Sequence, residues 1–282
     1  MKFLRYGPVG SEKPGLLAAD GTIRDLSGHV ADLGGDVLAP DRLAALAALP
    51  TDSLPVVDGS PRIGCPVSGV GKILAIGLNY SNHAKETGSQ LPPEPMLFTK
   101  AVTSLAGPND PLLVPRGSVS MDWEVELAVI IGKRGLYIPE DQALDHVAGF
   151  AVMNDASERD YQKKRGGQFV KGKSFDSFGP LGPWLVTPDE IPDCQALNLW
   201  TEVDGQRMQD GNTKDMIFGA LYLVSYLSQF MTLMPGDVIT TGTPEGVGLG
   251  MTPPRFLKVG ERLRLGIDGL GEQEHAVVPF DG

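Results

Sequence analysis

The sequence has 282 residues, 41% hydrophobic and 21% charged, which is enough for a large hydrophobic core in one main domain with a small appendage. The formal net charge is −11 and no long run of Lys and Arg occurs, so the composition argues against nucleic acid as a partner. No apolar run reaches membrane-spanning length and the first residues lack a signal-peptide core, so we expect a cytoplasmic protein without a membrane segment.

Residues 1–65 are predicted to form a small N-terminal α/β unit. The segment 59–70 is rich in Gly, Pro and Ser and is the predicted linker, so a second domain would occupy residues 70–282. The linker contains Cys65, which, like Cys194, follows no metal-binding spacing, and we expect both to be reduced thiols. Two strands and one helix are predicted within the N-terminal unit, at residues 3–6, 15–19 and 38–49.

A buried strand is predicted over residues 71–77, and it opens into a helix of one or two turns that ends at Gly88. His83 and Glu86 are three residues apart and therefore share one face of this helix. A carboxylate beside an imidazole orients the ring and raises its basicity, as a general base requires, but surface residues at this spacing also form ordinary pairs. The proline-rich segment that follows would allow the helix to close over a site.

The most informative stretch is residues 121–131, which has the composition of a strand. Side chains alternate along a strand, so Glu124 and Glu126 are predicted to point to the same face. A second apolar run, at residues 147–155, ends in a third acid, Asp155. Three oxygen donors on strands and strand ends suit a hard divalent cation; the alternative is an exposed strand face with solvated acids.

The region after Asp155 is predicted to contain one amphipathic helix over residues 214–232, because apolar residues recur there at helical spacing. The loop at 242–248 exposes backbone N–H groups and hydroxyls that can hold a carboxylate, and it lacks Walker or dinucleotide-binding spacing. The turn-rich stretch 171–183 contains two lysines that glycines would allow to approach a ligand, unless it is a plain loop. Further strands are predicted at residues 184–187, 197–203 and 237–241, and as antiparallel strands between 257 and 279.

Five motifs occur in order along the chain. They are Gly77-Leu78-Asn79-Tyr80 with His83 and Glu86; Phe98-Thr99-Lys100; Glu124-Val125-Glu126; Asp155 with Arg159 and Gln162; and Lys173-Ser174-Phe175 followed by Thr241-Gly242-Thr243-Pro244. In this combination, roughly residues 72–279 resemble the fumarylacetoacetate hydrolase family. The resemblance implies an α+β, mainly β fold, a mixed β-sandwich roll of the family's C-terminal type with few helices, assembled as a homodimer or a dimer of dimers.

The resemblance also implies a metal-dependent hydrolase that acts on carbon–carbon bonds in small oxo acids. Three acids, Glu124, Glu126 and Asp155, would ligate Mg²⁺, or Mn²⁺ or Ca²⁺ in its place. His83 and Glu86 would activate water on a lid that orders when substrate binds. Lys173 would stabilise developing negative charge near the metal. The substrate's carboxylate and oxo groups would be held by Tyr80, Lys100, Arg159, Gln162 and Thr243.

Leu78 narrows the expected substrate. Many acylpyruvate hydrolases and oxaloacetate decarboxylases of the family carry Arg at this position, so Leu78 argues against a small, highly anionic substrate. The motif form resembles the branch often labelled ureidoglycolate lyase, in which some members hydrolyse 2,4-diketo-3-deoxy sugar acids derived from L-rhamnonate or L-fuconate. We therefore expect pyruvate and a hydroxy acid such as lactate as products. The alternatives are an oxaloacetate decarboxylase or oxo-acid isomerase on the same scaffold, and a non-catalytic metal-binding protein.

Overall fold

Two large β-sheets and several short helices form the computed structural model, which describes residues 1–281. The strands, in chain order, are β1 Lys2–Tyr6, β2 Lys13–Leu17, β3 Ile23–Asp25, β4 Ile63–Gly64, β5 Ile73–Gly77, β6 Met96–Lys100, β7 Leu105–Ala106, β8 Leu112–Val114, β9 Met121–Asp122, β10 Val125–Ile131, β11 Val147–Asn154, β12 Ser157–Glu158, β13 Gly179–Pro180, β14 Leu185–Val186, β15 Asn198–Val203, β16 Gln206–Asn212, β17 Val238–Thr240, β18 Arg262–Ile267 and β19 Gly271–Pro279. The α-helices are α1 Pro40–Ala47, α2 Ser81–Glu86, α3 Arg159–Lys164, α4 Val170–Lys173 and α5 Ala220–Leu227. Single turns of 3₁₀ helix lie at Gly35–Leu38, Thr51–Ser53, Val102–Ser104, Pro188–Glu190, Thr213–Asp215 and Gly248–Gly250, with a longer one at Glu140–His146.

The larger sheet has ten strands and mixed topology. Its order is β3-β2-β1-β14-β11-β10-β17-β5-β6, with β4 paired to β1, and the β17–β5 pair is parallel. The second sheet has the order β16-β15-β18-β19-β8 and packs against β10 and β11. The prediction of a mainly β, mixed sandwich is confirmed.

Strand β10 separates two hydrophobic cores because its side chains alternate between the two faces of the sheet. Val125, Leu127 and Val129 belong to the core shared with the second sheet and α5. Ala128 and Ile130 belong to a second core, which contains side chains from β1, β2 and α1. The strand is therefore buried on both faces, and every residue from 125 to 131 is buried.

The N-terminal strands extend the large sheet instead of forming a sheet of their own. Strand β1 pairs with β2 and with β14, and its residue Phe3 lies opposite Leu185. An ion-pair network adds polar contacts, because Arg62 binds both Glu12 and Asp110. The domain boundary at residues 65–70 stays a prediction.

Two predicted elements differ from the structure. The helix predicted over 214–232 is confined to α5, because the Asn79 side chain bonds the backbone N–H and C=O of Phe218 and holds that segment extended. The strand predicted over 121–131 is interrupted at Trp123 and Glu124, whose N–H groups bond the side chains of Asp122 and Asn154 instead of a neighbouring strand. Within residues 1–281, no helix is long and apolar enough to cross a membrane.

Candidate active site

The three predicted acids converge at the interruption between β9 and β10. Glu124 lies in the interruption, Glu126 lies on β10, and Asp155 follows the last residue of β11. One carboxylate oxygen from each residue lies within 4.8 Å of the others, and all three residues are buried. The interruption preserves the predicted orientation, because Val125, between the two glutamates, packs into the opposite core.

This donor set fits a hard divalent cation. It consists of carboxylate oxygens, without sulfur or imidazole donors, as Mg²⁺, Mn²⁺ and Ca²⁺ prefer. Glu126 is held by its Oε2 atom, which accepts hydrogen bonds from the Thr240 hydroxyl and from the Gly242 N–H at 2.7 Å. Its Oε1 atom takes part in neither bond. Glu124, Glu126 and Asp155 are therefore the residues that would hold the cation.

Three cations surround the acids. The Lys173 Nζ atom lies 2.7 Å from Glu124 Oε2 and 2.7 Å from Asp155 Oδ2, and the Lys100 Nζ atom lies 2.5 Å from Asp155 Oδ1. The Arg159 Nη2 atom lies 2.7 Å from Glu124 Oε1. Both lysines are nearly fully buried, so at these short distances their charges interact strongly with the acids in a medium of low polarity.

These contacts shift the pKa values of the two glutamates in opposite directions. Burial would raise the pKa of Glu124, but the charges of Lys173 and Arg159 outweigh it and hold the pKa well below its usual range. For Glu126, burial and the charges of Asp155 and Glu124 raise the pKa, and the charge of Lys173 offsets them only in part. A bound divalent cation would supply the remaining compensating charge.

The formal charges of the buried cluster indicate the charge of its ligands. Four carboxylates, those of Asp122, Glu124, Glu126 and Asp155, face three cations, so the cluster has a formal charge of −1. One divalent cation would change this to +1. A singly charged anion would then neutralise the site, which favours a carboxylate substrate.

The predicted dyad lies on α2, at the mouth of the same cleft. The His83 Nδ1 atom is 2.9 Å from Glu86 Oε1, and the Gly246 N–H donates to Glu86 Oε2 at 2.9 Å. A carboxylate can only accept, so the proton lies on Nδ1 and Nε2 is left as the basic nitrogen. The His83 side chain is 8% exposed, so the pair is not an ordinary surface contact.

One cleft joins these groups and is open to solvent. Its polar wall contains most of the residues predicted from the sequence: His83, Glu124, Glu126, Arg159, Gln162, Lys173 and Thr243. The lining also contains apolar side chains, those of Ile76, Leu78, Met96, Phe98, Phe169 and Leu249, and the polar residues Thr87, Ser89 and Lys163. The Phe98 ring lies beside the polar residues, because its centroid is 5.3 Å from the Lys173 Nζ atom.

Four predicted residues do not lie on the cleft wall. Asp155 and Glu86 are adjacent to it and bond residues that line it. Lys100 is buried behind Asp155, so it contacts the cluster and not the cleft. The Tyr80 hydroxyl is enclosed in the protein with no hydrogen-bond partner among residues 1–281. Substrate contacts by Lys100 and Tyr80 stay predictions that the geometry does not support directly.

The sequence analysis missed two buried residues that support the site. Asp122 accepts four hydrogen bonds, among them one from Arg159 Nε at 2.7 Å. Gln209, on β16, accepts from the Val125 N–H at 3.0 Å and donates to the Thr243 hydroxyl at 2.7 Å. The Asp-Trp-Glu-Val-Glu run contained a signal for Asp122, whereas no local pattern marks Gln209.

Comparison with known proteins identifies the family of the chain. Residues 72–278 match the family described as fumarylacetoacetate (FAA) hydrolase C-terminal. A protein of Burkholderia ambifaria (strain MC40-6), named provisionally as a hydrolase, is 60% identical over 274 residues, which are 97% of each chain. The crystal structure of maleylpyruvate hydrolase from Sphingobium sp. SYK-6 is 28% identical, with a TM-score of 0.81 over 99% of this chain and 100% of that chain. The crystal structure of 5-carboxymethyl-2-hydroxymuconate delta-isomerase from Mycobacterium smegmatis is 30% identical, with a TM-score of 0.77 over 100% of both chains.

Proposed function

Because the chain belongs to the fumarylacetoacetate hydrolase family, we propose that it is a divalent-metal-dependent enzyme that hydrolyses a carbon–carbon bond of a 2,4-dioxo acid and releases pyruvate. One observation carries the proposal: the buried acids Glu124 and Glu126 line the same cleft as His83, whose ring is oriented by Glu86. A metal-binding protein without catalysis would not need a base oriented in this way.

The positions of the residues assign each a role. The cation held by Glu124, Glu126 and Asp155 would supply Lewis-acid polarisation of the substrate's oxygens. Arg159 and Gln162, which are 3.1 Å apart on the cleft wall, would bind the substrate carboxylate.

Hydrolysis then needs one base and one site for negative charge. His83 Nε2 takes a proton from water, and the water oxygen attacks the C4 carbonyl carbon. The C3–C4 bond breaks, its electron pair moves into the enolate of pyruvate, and the Lys173 ammonium stabilises the negative charge. Protonation of C3 gives pyruvate, and C4 leaves as the carboxyl carbon of the second product.

The proposed substrates are 2,4-diketo-3-deoxy sugar acids, such as those derived from L-rhamnonate or L-fuconate. Leu78 supports this choice, because the cleft has an uncharged side chain at the position where many acylpyruvate hydrolases and oxaloacetate decarboxylases of the family carry Arg. For the rhamnonate-derived substrate, the second product is lactate.

A substrate screen tests the proposal. Purified protein is incubated with a panel of 2,4-dioxo acids and Mg²⁺ or Mn²⁺, and pyruvate is measured with lactate dehydrogenase. We expect pyruvate release that a chelator abolishes, and a decrease in kcat of about 10² to 10⁴-fold in His83→Ala, which still binds oxalate with the metal. Full hydrolysis by His83→Ala would contradict the assigned base, and a wild type without pyruvate release on any substrate would contradict the function.

An oxo-acid isomerase is the second candidate, because a solved structure named as an isomerase is 30% identical over its whole length. An isomerase moves protons and does not add water. The reaction in ¹⁸O-labelled water separates the two, since hydrolysis places one label in the new carboxyl group, and isomerisation changes the ultraviolet spectrum without pyruvate release.

A further inference from the structure

Asp122 ends β9 and is fully buried, yet it does not line the cleft. Each of its oxygens accepts two hydrogen bonds. Oδ1 accepts from the N–H groups of Trp123 at 2.9 Å and Gly248 at 2.7 Å. Oδ2 accepts from Arg159 Nε at 2.7 Å and from the Leu249 N–H at 3.0 Å. A carboxylate with four donors is fixed in one orientation.

The bond to Arg159 fixes the direction of its guanidinium group. Nε is held by Asp122, and Nη1 donates to Gln162 Oε1 at 3.1 Å. Nη2 lies 2.7 Å from Glu124 Oε1 and forms no well-aligned hydrogen bond within residues 1–281. The guanidinium group is therefore held against Glu124 at the cleft wall.

The bonds to Gly248 and Leu249 fix the turn on which the lid helix rests. Just before this turn, the Gly246 N–H holds Glu86 Oε2, and the Gly246 carbonyl accepts from Trp123 Nε1 at 3.1 Å. At its end, a Cβ atom on Gly250 would lie 2.6 Å from the Glu86 carboxyl carbon, so the turn packs directly on that carboxylate. The position of this turn determines where Glu86, and therefore His83, can lie.

We propose that Asp122 is a positioning residue that couples the orientation of Arg159 to the seating of α2 over the cleft. This rests on the proposed function, which gives roles to Arg159, His83 and Glu86. The coupling runs through one carboxylate, because Asp122 binds both the Arg159 guanidinium and the two amides of the turn beneath Glu86.

The first test compares Asp122→Asn with Asp237→Asn. Asp237 is a matched control, because it is also fully buried, pairs with one lysine and accepts a backbone N–H, but does not line the cleft. In Asp122→Asn, an NH₂ group replaces one of the two oxygens. This group cannot accept hydrogen bonds, yet it would face two N–H donors. In Asp122→Asn, we expect a KM at least tenfold higher than that of the wild type. We also expect amide hydrogen exchange at least tenfold faster in residues 81–88 and 246–250. In Asp237→Asn, we expect both quantities to stay within twofold of the wild type.

Unchanged exchange and KM in Asp122→Asn, or equal changes in both variants, would overturn the coupling. If the wild type turned over no 2,4-dioxo acid, the proposed function would fail, while the exchange comparison would still decide the coupling.

A reciprocal variant covers the case in which Asp122→Asn does not fold. Arg159→Gln removes the only charged partner that donates to the Asp122 carboxylate within residues 1–281. A buried carboxylate without a countercharge is unfavourable, so the carboxylate reorients or protonates. We expect the Gly248 and Leu249 amides to exchange at least tenfold faster, and unchanged exchange there would exclude the coupling.

Discussion

Leu78 has an unusual backbone for its residue type and lies on the wall of the cleft. Its φ angle is +55°, in the left-handed region that non-glycine residues seldom adopt. Such a conformation costs on the order of 1 kcal/mol and persists only where the surrounding structure imposes it, often at functional sites. With this backbone conformation, Leu78 places an apolar side chain on the cleft wall.

Leu78→Arg should change the substrate preference. The substitution adds a positive charge at a position where the cleft lining now has an apolar side chain, and about 1.4 kcal/mol of added attraction for a second carboxylate corresponds to a tenfold change in affinity. We expect kcat/KM for oxaloacetate, relative to that for a singly charged 2,4-dioxo acid, to rise at least tenfold. The measurement is CO₂ and pyruvate release, with Leu78→Met as the uncharged control. Equal ratios in the two variants would show that this position does not select charge.

The sequence allows the acidic residues to be predicted, but not the residues that hold them. Glu124 and Glu126 are close in sequence, so strand alternation alone places them on one face. Gln209 reaches Val125 across 84 residues of chain, and the long-range packing that brings them together has no local signal. The same reasoning applies to Lys100, whose burial behind Asp155 depends on the β5–β6 register.

At the scale of elements, α2 is too short to be stable alone. It has six residues and no side-chain N-cap hydrogen bond, so tertiary contacts must hold it in place. One contact is the Glu86 carboxylate on the Gly246 amide, and another joins Asn82 Nδ2 to Glu245 Oε1 at 3.0 Å. The helix is therefore anchored by polar contacts to residues 245 and 246.

Asn82→Ala should loosen α2 without altering the chemistry. It removes an exposed bond that is worth about 1 kcal/mol and leaves the His83–Glu86 pair intact. We expect proteolysis between residues 81 and 95 to be about fivefold faster and KM to rise by a similar factor, with little change in kcat. Lys85→Ala is the control, because Lys85 is exposed on the same helix. A Lys85→Ala variant with the same KM as Asn82→Ala would attribute the effect to helix propensity instead.

The sequence predicts element boundaries well where the local pattern decides them. It predicts them poorly where side chains from distant residues form hydrogen bonds with the backbone groups that a helix or strand would use. Strand β15 agrees within one residue with the predicted range 197–203, whereas the helix predicted at 214–232 shrinks to α5. Apolar spacing at residues 216–219 is helical, but Met216 pairs with Tyr80 and Asn79 binds the backbone of Phe218. Those partners lie some 140 residues away, beyond any local periodicity.

At the scale of the whole molecule, the site lies where the regular strand pairing of the large sheet stops and backbone N–H groups bond side chains instead. The N-terminal strands pack against the far face of β10, and the second sheet supplies Gln209 to the near face. Sandwiched in this way, β10 cannot shift its register to separate the acids. The fold thus imposes the proximity of carboxylates that would otherwise repel one another.

Because these carboxylates repel one another, we predict that the stability of the folded protein depends on a bound divalent metal. Without a cation, burial and two neighbouring carboxylates disfavour the ionised form of Glu126, and a bound cation removes this cost in the folded state alone. At a metal concentration one hundred times Kd, the expected gain is about 2.7 kcal/mol, or about 5 °C in Tm for a chain of this size. Thermal melts of chelator-treated protein, with and without Mg²⁺ or Mn²⁺, measure the shift. Glu124→Gln should lose the shift, whereas Glu272→Gln, a change on the exposed end of β19, should keep it. An equal shift in both variants, or none in the wild type, would show that these carboxylates do not bind the cation.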